Sequence, residues 1–171
     1  MRLQILFLYL CKKTGMINRI IKGSILSDYK RRKVIVLLGA RQVGKTTLLS
    51  ELCEGKDRVL SLNCDNVDDV LALEGKTTTE LRQLLSSYEL VFIDEAQRVK
   101  NVGLTLKMIG DLKLETQVVV TGSSSLDMAD EINEPATGRL IEYNLFPFSL
   151  PELALYSSER EENRSVSYTH L

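Results

Sequence analysis

Apolar positions along the chain fall into short continuous runs, separated by stretches in which they recur at helical spacing. Residues 33–38 (KVIVLL) form a β-branched and leucine run between a charged cluster and Gly39, the pattern of a strand buried on both faces. Residues 46–53 (TTLLSELC) predict a helix entered directly from a glycine-containing loop. Residues 59–63 (VLSLN) read as a second strand, and residues 78–88 as a helix with a threonine cap and Glu80 in its first turn. Residues 90–93 (LVFI) give a third strand with Asp94 and Glu95 at its carboxyl end, residues 102–112 a helix, and residues 117–121 (QVVVT) a fourth strand running into Gly122. A fifth strand is expected over 140–145, closed by Pro147, with a short helix from about Pro151. Near the start, Ile17, Ile20, Ile21 and Ile25 keep helical spacing. Alternating strands and helices predict an α/β fold: a mainly parallel sheet of about five strands with helices on both faces. Internal repeats are absent.

Both ends differ from this middle. The run LQILFLYLC over residues 3–11 is shorter than the roughly 20 residues a membrane span needs, and it lacks the small-residue cleavage pattern of a signal peptide. No membrane partner is therefore expected. Met16 is read as the start of the folded part, residues 1–15 as an upstream extension, and residues 156–171 as a truncated or non-native tail. The 171 residues then amount to one domain over 16–155.

Charge and composition change this picture in two ways. The net charge of −1 hides an asymmetry: residues 1–58 carry 13 Lys and Arg against 4 Asp and Glu, whereas the remainder carries 9 against 19. The first third therefore favours anions. Three cysteines without zinc-ligand spacing imply reduced thiols and a cytoplasmic location, and the lone His170 near the end argues against histidine-based hydrolases and histidine-rich metal sites.

The candidate chemistry lies in the first strand-to-helix turn. Gly39-Ala40-Arg41-Gln42-Val43-Gly44-Lys45-Thr46 satisfies G-x-x-x-x-G-K-[ST], with a strand before it and a helix, beginning Thr46-Thr47, after it. The glycines allow a loop to wrap a phosphate with its backbone N–H groups turned inward. Lys45 supplies charge to the β- and γ-phosphates, the Thr46 hydroxyl is suited to Mg²⁺, and the helix points its positive end at the same anion. The third strand delivers Asp94 as a second Mg²⁺ ligand, and Glu95 as the group that orients and polarises an attacking water. No NKxD-type motif supports GTP.

Other residues refine this site. Thr121 and Ser123, with Ser124 and Ser125, follow the fourth strand, where a hydroxyl senses the γ-phosphate or holds the water, or else forms a turn and helix cap. Gln97 is a further candidate for that role. Arg139 is either an arginine finger, in cis or across a subunit interface, or a surface charge before a strand. Arg41 either reaches a phosphate or faces solvent.

In this order GARQVGKTTLL, VFIDEAQ, VVVTGSSS and TGRLIEYNLFPFSLPEL resemble the bacterial and archaeal AAA-type ATPases whose ATPase domain precedes a DUF4143 domain. Ala40 departs from the usual GPRQVGKTT, and DEAQ stands where DEIQ is frequent. The resemblance implies a P-loop NTPase three-layer sandwich of the additional-strand type, in which the strand ending at Thr121 lies between those carrying the two motifs. It carries over Lys45 and Thr46 as P-loop residues, Asp94 and Glu95 as the Walker B pair, and Gly138-Arg139 as a family motif. The reading is a Mg²⁺-dependent ATPase, with ATP as ligand, a homo-oligomer as one expectation, and partner specificity in a missing carboxyl-terminal domain. The alternatives are a slowly hydrolysing nucleotide switch, or an ATPase linked to nucleic acid, for which Lys30-Arg31-Arg32-Lys33 is the only local feature.

Overall fold

A computed structural model of the chain describes residues 17–123 and 138–157. The expectations for the upstream extension, for Ser124 and Ser125, and for the tail beyond residue 157 lie outside these residues.

Five strands, β1 (Val34–Leu38), β2 (Val59–Asn63), β3 (Leu90–Asp94), β4 (Gln117–Gly122) and β5 (Leu140–Asn144), form one sheet in the order β2-β3-β4-β1-β5. Every pairing is parallel. The fourth strand therefore lies between β1 and β3, as the resemblance implied. Strand bounds agree with the apolar runs to within one residue, because the three central strands are covered on both faces. Mostly apolar runs satisfy that condition, and the two buried polar residues of β4, Gln117 and Thr121, each find a hydrogen-bond partner.

Alternation across the pleat separates two cores. Val34, Val36, Val91, Ile93, Val118 and Val120 face one side and pack with residues of helices α4 (Thr78–Leu85) and α5 (Val102–Asp111). Ile35, Leu37, Leu90, Phe92 and Val119 face the other, against Ile25 of α1 (Ile21–Asp28) and Leu48, Leu49 and Leu52 of α2 (Lys45–Leu52). This is the three-layer α/β sandwich of a P-loop NTPase. No helix among the described residues is long and apolar enough to cross a membrane.

Local chemistry explains the helix ends. Thr77 caps α4 in a reciprocal box: its hydroxyl accepts from the Glu80 amide at 3.3 Å, while Glu80 Oε2 accepts from the Thr77 amide at 2.8 Å. The Thr77 amide and, next, its hydroxyl donate to the Glu80 carboxylate and hold it below its ordinary range. The helix stops at Leu85, short of the expected 88, where the Thr116 hydroxyl approaches the Leu85 and Tyr88 carbonyls at 3.1 and 2.8 Å. A short helix, α3 (Val67–Leu71), was absent from the periodicity reading because five residues are too few to show a period. Residues 150–157 are helical, as expected from Pro151.

Candidate functional site

In a parallel sheet the carboxyl ends of all strands meet at one edge, and ligands of such sheets bind there. The β1–α2 loop, residues 39–44, occupies that edge beside the ends of β3 and β4. Gly39 is required by a close approach: a Cβ there would stand 2.6 Å from the Leu145 carbonyl oxygen. Gly44 is required by its backbone, with φ +95°, and Gln42 is also left-handed at φ 66°. Gly44 leads into α2, whose amino end has no side-chain cap, so its first N–H groups are left for an external acceptor. Lys45, 7% exposed, lies back over the loop, its Nζ donating to the Gly39 and Ala40 carbonyls at 2.7 and 3.0 Å.

The loop opens onto a cleft of ≈ 590 Å³ lined by Arg41, Gln42, Lys45, Thr46, Asp65 and Glu95, among others that include Gly44 and Thr47. That size suits a small-molecule ligand. Ala40 is exposed at the tip, whereas Val43 is buried and packs into the α1/α2 core. A smaller cleft of ≈ 310 Å³ lies on the other side of the same loop, offering Ile17, Val43, Leu48 and Phe148 as apolar walls.

The end of β3 is tightly organised. Asp94 Oδ1 accepts the Thr121 hydroxyl proton, and also the Glu95 amide at 3.1 Å. The same Thr121 oxygen accepts from the Glu95 amide at 3.3 Å. Thr121 is fully buried and so acts on the Asp94 carboxylate and the Glu95 amide, not on the open cleft. Glu95 is itself left-handed, φ 52°, a conformation that costs a non-glycine residue about 1–3 kcal/mol and is retained where the surroundings enforce it. Its Oε2 accepts from Gln97 Nε2, while Gln97 Oε1 is buried without a partner. Ser123 lies half-buried just beyond β4.

Thr46 and Asp94 present a hydroxyl and a carboxylate, hard oxygen donors of the kind Mg²⁺ takes together with substrate phosphates. Asp94 Oδ2 takes no hydrogen bond from the described residues, which leaves a lone pair for such an ion. No cluster of three or more His, Cys, Asp or Glu capable of holding a metal alone exists among the described residues. The donor set thus suits an ion brought with its phosphates, not a protein-enclosed one.

One residue lining the cleft of ≈ 590 Å³ escaped the sequence reading. Asp65 enters the cleft from the turn after β2; its signal was position, because it follows the carboxyl end of a strand parallel to β1. The Cys64 thiol beside it is pushed up to about 12 by burial and by Asp69, Asp94, Asp65 and Glu95, which favours the protonated form.

Arg139 requires a correction. It precedes β5, whose Leu140 pairs with Val34 at the start of β1, while the phosphate loop follows Leu38 at the other end. The five residues of β1 separate the two, about 17 Å, so Arg139 stands away from its own domain's loop, which leaves the readings of a surface charge and of a finger across a subunit interface. It instead pairs with Asp111 and lies across Gly110 of α5. Of the basic lead-in, Arg31 pairs with Asp28 at 2.9 Å and Arg32 with Glu115 at 3.3 Å, both at that same far edge.

Glu152 and Arg19 form a buried pair behind the loop at 3.1 Å. Burial alone would raise the Glu152 carboxyl, but the Ser149 and Ile20 amides, the Ser149 hydroxyl and Arg19 more than offset it and hold it low.

A family model described as AAA domain matches residues 31–154, well over half of the chain. Among solved structures, the chain is similar to C. elegans PCH-2 at 15% identity and TM-score 0.49, covering 82% of this chain and 46% of that one. It is also similar to a DNA replication initiation factor at 17% identity and TM-score 0.50, covering 89% and 53% respectively. The chain thus spans about half the length of either. No curated protein matches it. The second likeness supports the fold read from the sheet order. The chain belongs to the AAA domain family, and the fold it carries is a nucleotide-binding domain of the ATPase type.

Proposed function

We propose that this domain binds Mg·ATP and hydrolyses its β–γ phosphoanhydride bond. The observation that carries the reading is the convergence on one cleft of an uncapped α2 amino end, Lys45 and, from another strand, Glu95. In this reading the loop amides and Lys45 hold the triphosphate, with Lys45 leaving its two loop carbonyls for phosphate oxygens. Thr46 and Asp94 would hold Mg²⁺, which when bound offsets the phosphate charge. Glu95 orients a water in line with the γ-phosphorus and draws off its proton as the new P–O bond forms and the bridging bond to ADP breaks. Thr121 keeps Asp94 and Glu95 in register. The apolar cleft across the loop takes the base against Val43, Leu48 and Phe148. Specificity for a client belongs, by the resemblance, to a DUF4143 domain following this one.

A second reading, slow turnover as a nucleotide-dependent switch, is favoured by one observation: Glu95 is already engaged by Gln97. Release of that contact would then set the rate. Phosphate release and ATP binding measured on Glu95→Gln test the main reading. Binding should persist while turnover falls by about 10²–10⁴-fold; turnover equal to the wild type would remove Glu95 from the reaction. A Gln97→Ala protein hydrolysing faster than wild type would favour the switch.

A further inference from the structure

We propose that Arg19, outside the phosphate-loop motif, is a positioning residue that fixes the direction of the Val43–Gly44 peptide and so prepares the loop for phosphate. The inference rests on the ATP-binding reading above.

Arg19 precedes α1, yet its guanidinium is sunk behind the loop, with the residue 7% exposed. Its nitrogens reach three different segments. Nη1 donates to the Val43 carbonyl at 2.9 Å, Nη2 to the Phe146 carbonyl beyond β5, and Nε to Glu152 Oε1 at 3.1 Å. The guanidinium also lies over the Phe148 ring, 4.5 Å from its centroid. Glu152, 5% exposed, is satisfied in turn by the Ile20 amide at 3.1 Å and by the Ser149 amide and hydroxyl at 2.8 and 3.0 Å.

A buried ion pair seldom adds net stability over an apolar pair of the same volume, because both ions lose their hydration. What this pair provides is direction. In a trans peptide the C=O and the following N–H point opposite ways, and no peptide bond among the described residues is cis. A Val43 carbonyl turned outward to Arg19 therefore turns the Gly44 N–H inward, toward the space where an anion sits. Nothing in the loop itself secures this, since Gly44 has no side chain and occupies φ +95°, where rotation of the preceding peptide meets little steric resistance. With the peptide reversed, a carbonyl oxygen would face the phosphate in place of a donor. Arg19 prevents the reversal, and its planar fork suits the task because three separate nitrogens reach Val43, Phe146 and Glu152, where an ammonium would have to serve all three from one nitrogen.

The test is the affinity of the whole chain for ATP and for inorganic tripolyphosphate, which lacks the base, measured well below the melting temperature for wild type, Arg19→Lys, Glu152→Gln and Lys45→Ala. Arg19→Lys should weaken both ligands by a similar factor, about 10- to 100-fold, the worth of one hydrogen bond to a charged group. Glu152→Gln should shift both in the same direction by less, and it carries the test if Arg19→Lys does not fold. A purely structural Arg19 would lower the melting temperature and leave both affinities unchanged, which overturns the inference. If Lys45→Ala also binds ATP like wild type, the ATP reading itself has failed. Loss of binding in Lys45→Ala alone rejects only the role of Arg19.

Discussion

The two edges of this sheet are both crowded with charge, and they handle it differently. At the amino edge the ions are mostly neutralised among themselves: Arg32 with Glu115, Arg58 with Glu89, Arg139 with Asp111. These partners are exposed, and such pairs contribute little, about 0–1 kcal/mol. Even the open cleft there, ≈ 640 Å³ and lined by Lys56, Arg58, Arg82 and Lys113, includes Glu89 and Glu115 in its wall. At the carboxyl edge the charged groups are aimed. Asp94 is pinned by a buried hydroxyl, Glu95 is held by Gln97, and Lys45 is held only by carbonyls, not by a carboxylate. Charge alone therefore does not mark a site. Charge that the fold has constrained without cancelling does.

The comparison breaks most readily at the carboxyl edge. Lys45→Ala should weaken ATP by about 100-fold or more, since it removes a charged donor from a charged acceptor; equilibrium titration with a fluorescent ATP analogue checks it. Next in size, Thr121→Val should keep ATP binding and lower turnover by about 10-fold or more, because it frees Asp94 and lets the Glu95 backbone drift. Steady-state phosphate release reads this, and an unchanged rate would mean that the buried hydroxyl serves packing alone. At the amino edge, Arg139→Ala should leave turnover of this chain within about twofold and cost about 1 kcal/mol or less by thermal melting. A large loss of turnover there would abolish the distinction between the edges.

Much of the carboxyl edge was legible from residues in order. The run KVIVLL, the glycines and Lys45 share one stretch of chain, and the apolar run before Asp94 announces its strand end. The position of Arg139 was also available in principle. A residue that precedes a parallel strand stands at the edge opposite a loop that follows one, a fact of topology that the chemistry of an arginine does not carry. Arg19 was hidden for a different reason. Its three acceptors lie 24, 127 and 133 residues away, and no local period or spacing encodes a contact of that kind. Asp65 lay in an irregular turn whose approach to the cleft depends on β2 pairing with β3.

The pair behind the loop also bears on where the domain can be cut. Recognisable similarity to the family begins at residue 31 and runs to 154, so it includes Glu152 and leaves out Arg19. A fragment trimmed to those limits would keep a buried carboxylate stripped of its counter-ion, and a phosphate loop with one carbonyl untethered. Such a fragment would contain every residue of the nucleotide motifs and still bind poorly, because the smallest stretch that looks like the domain is shorter than the smallest stretch that holds its shape.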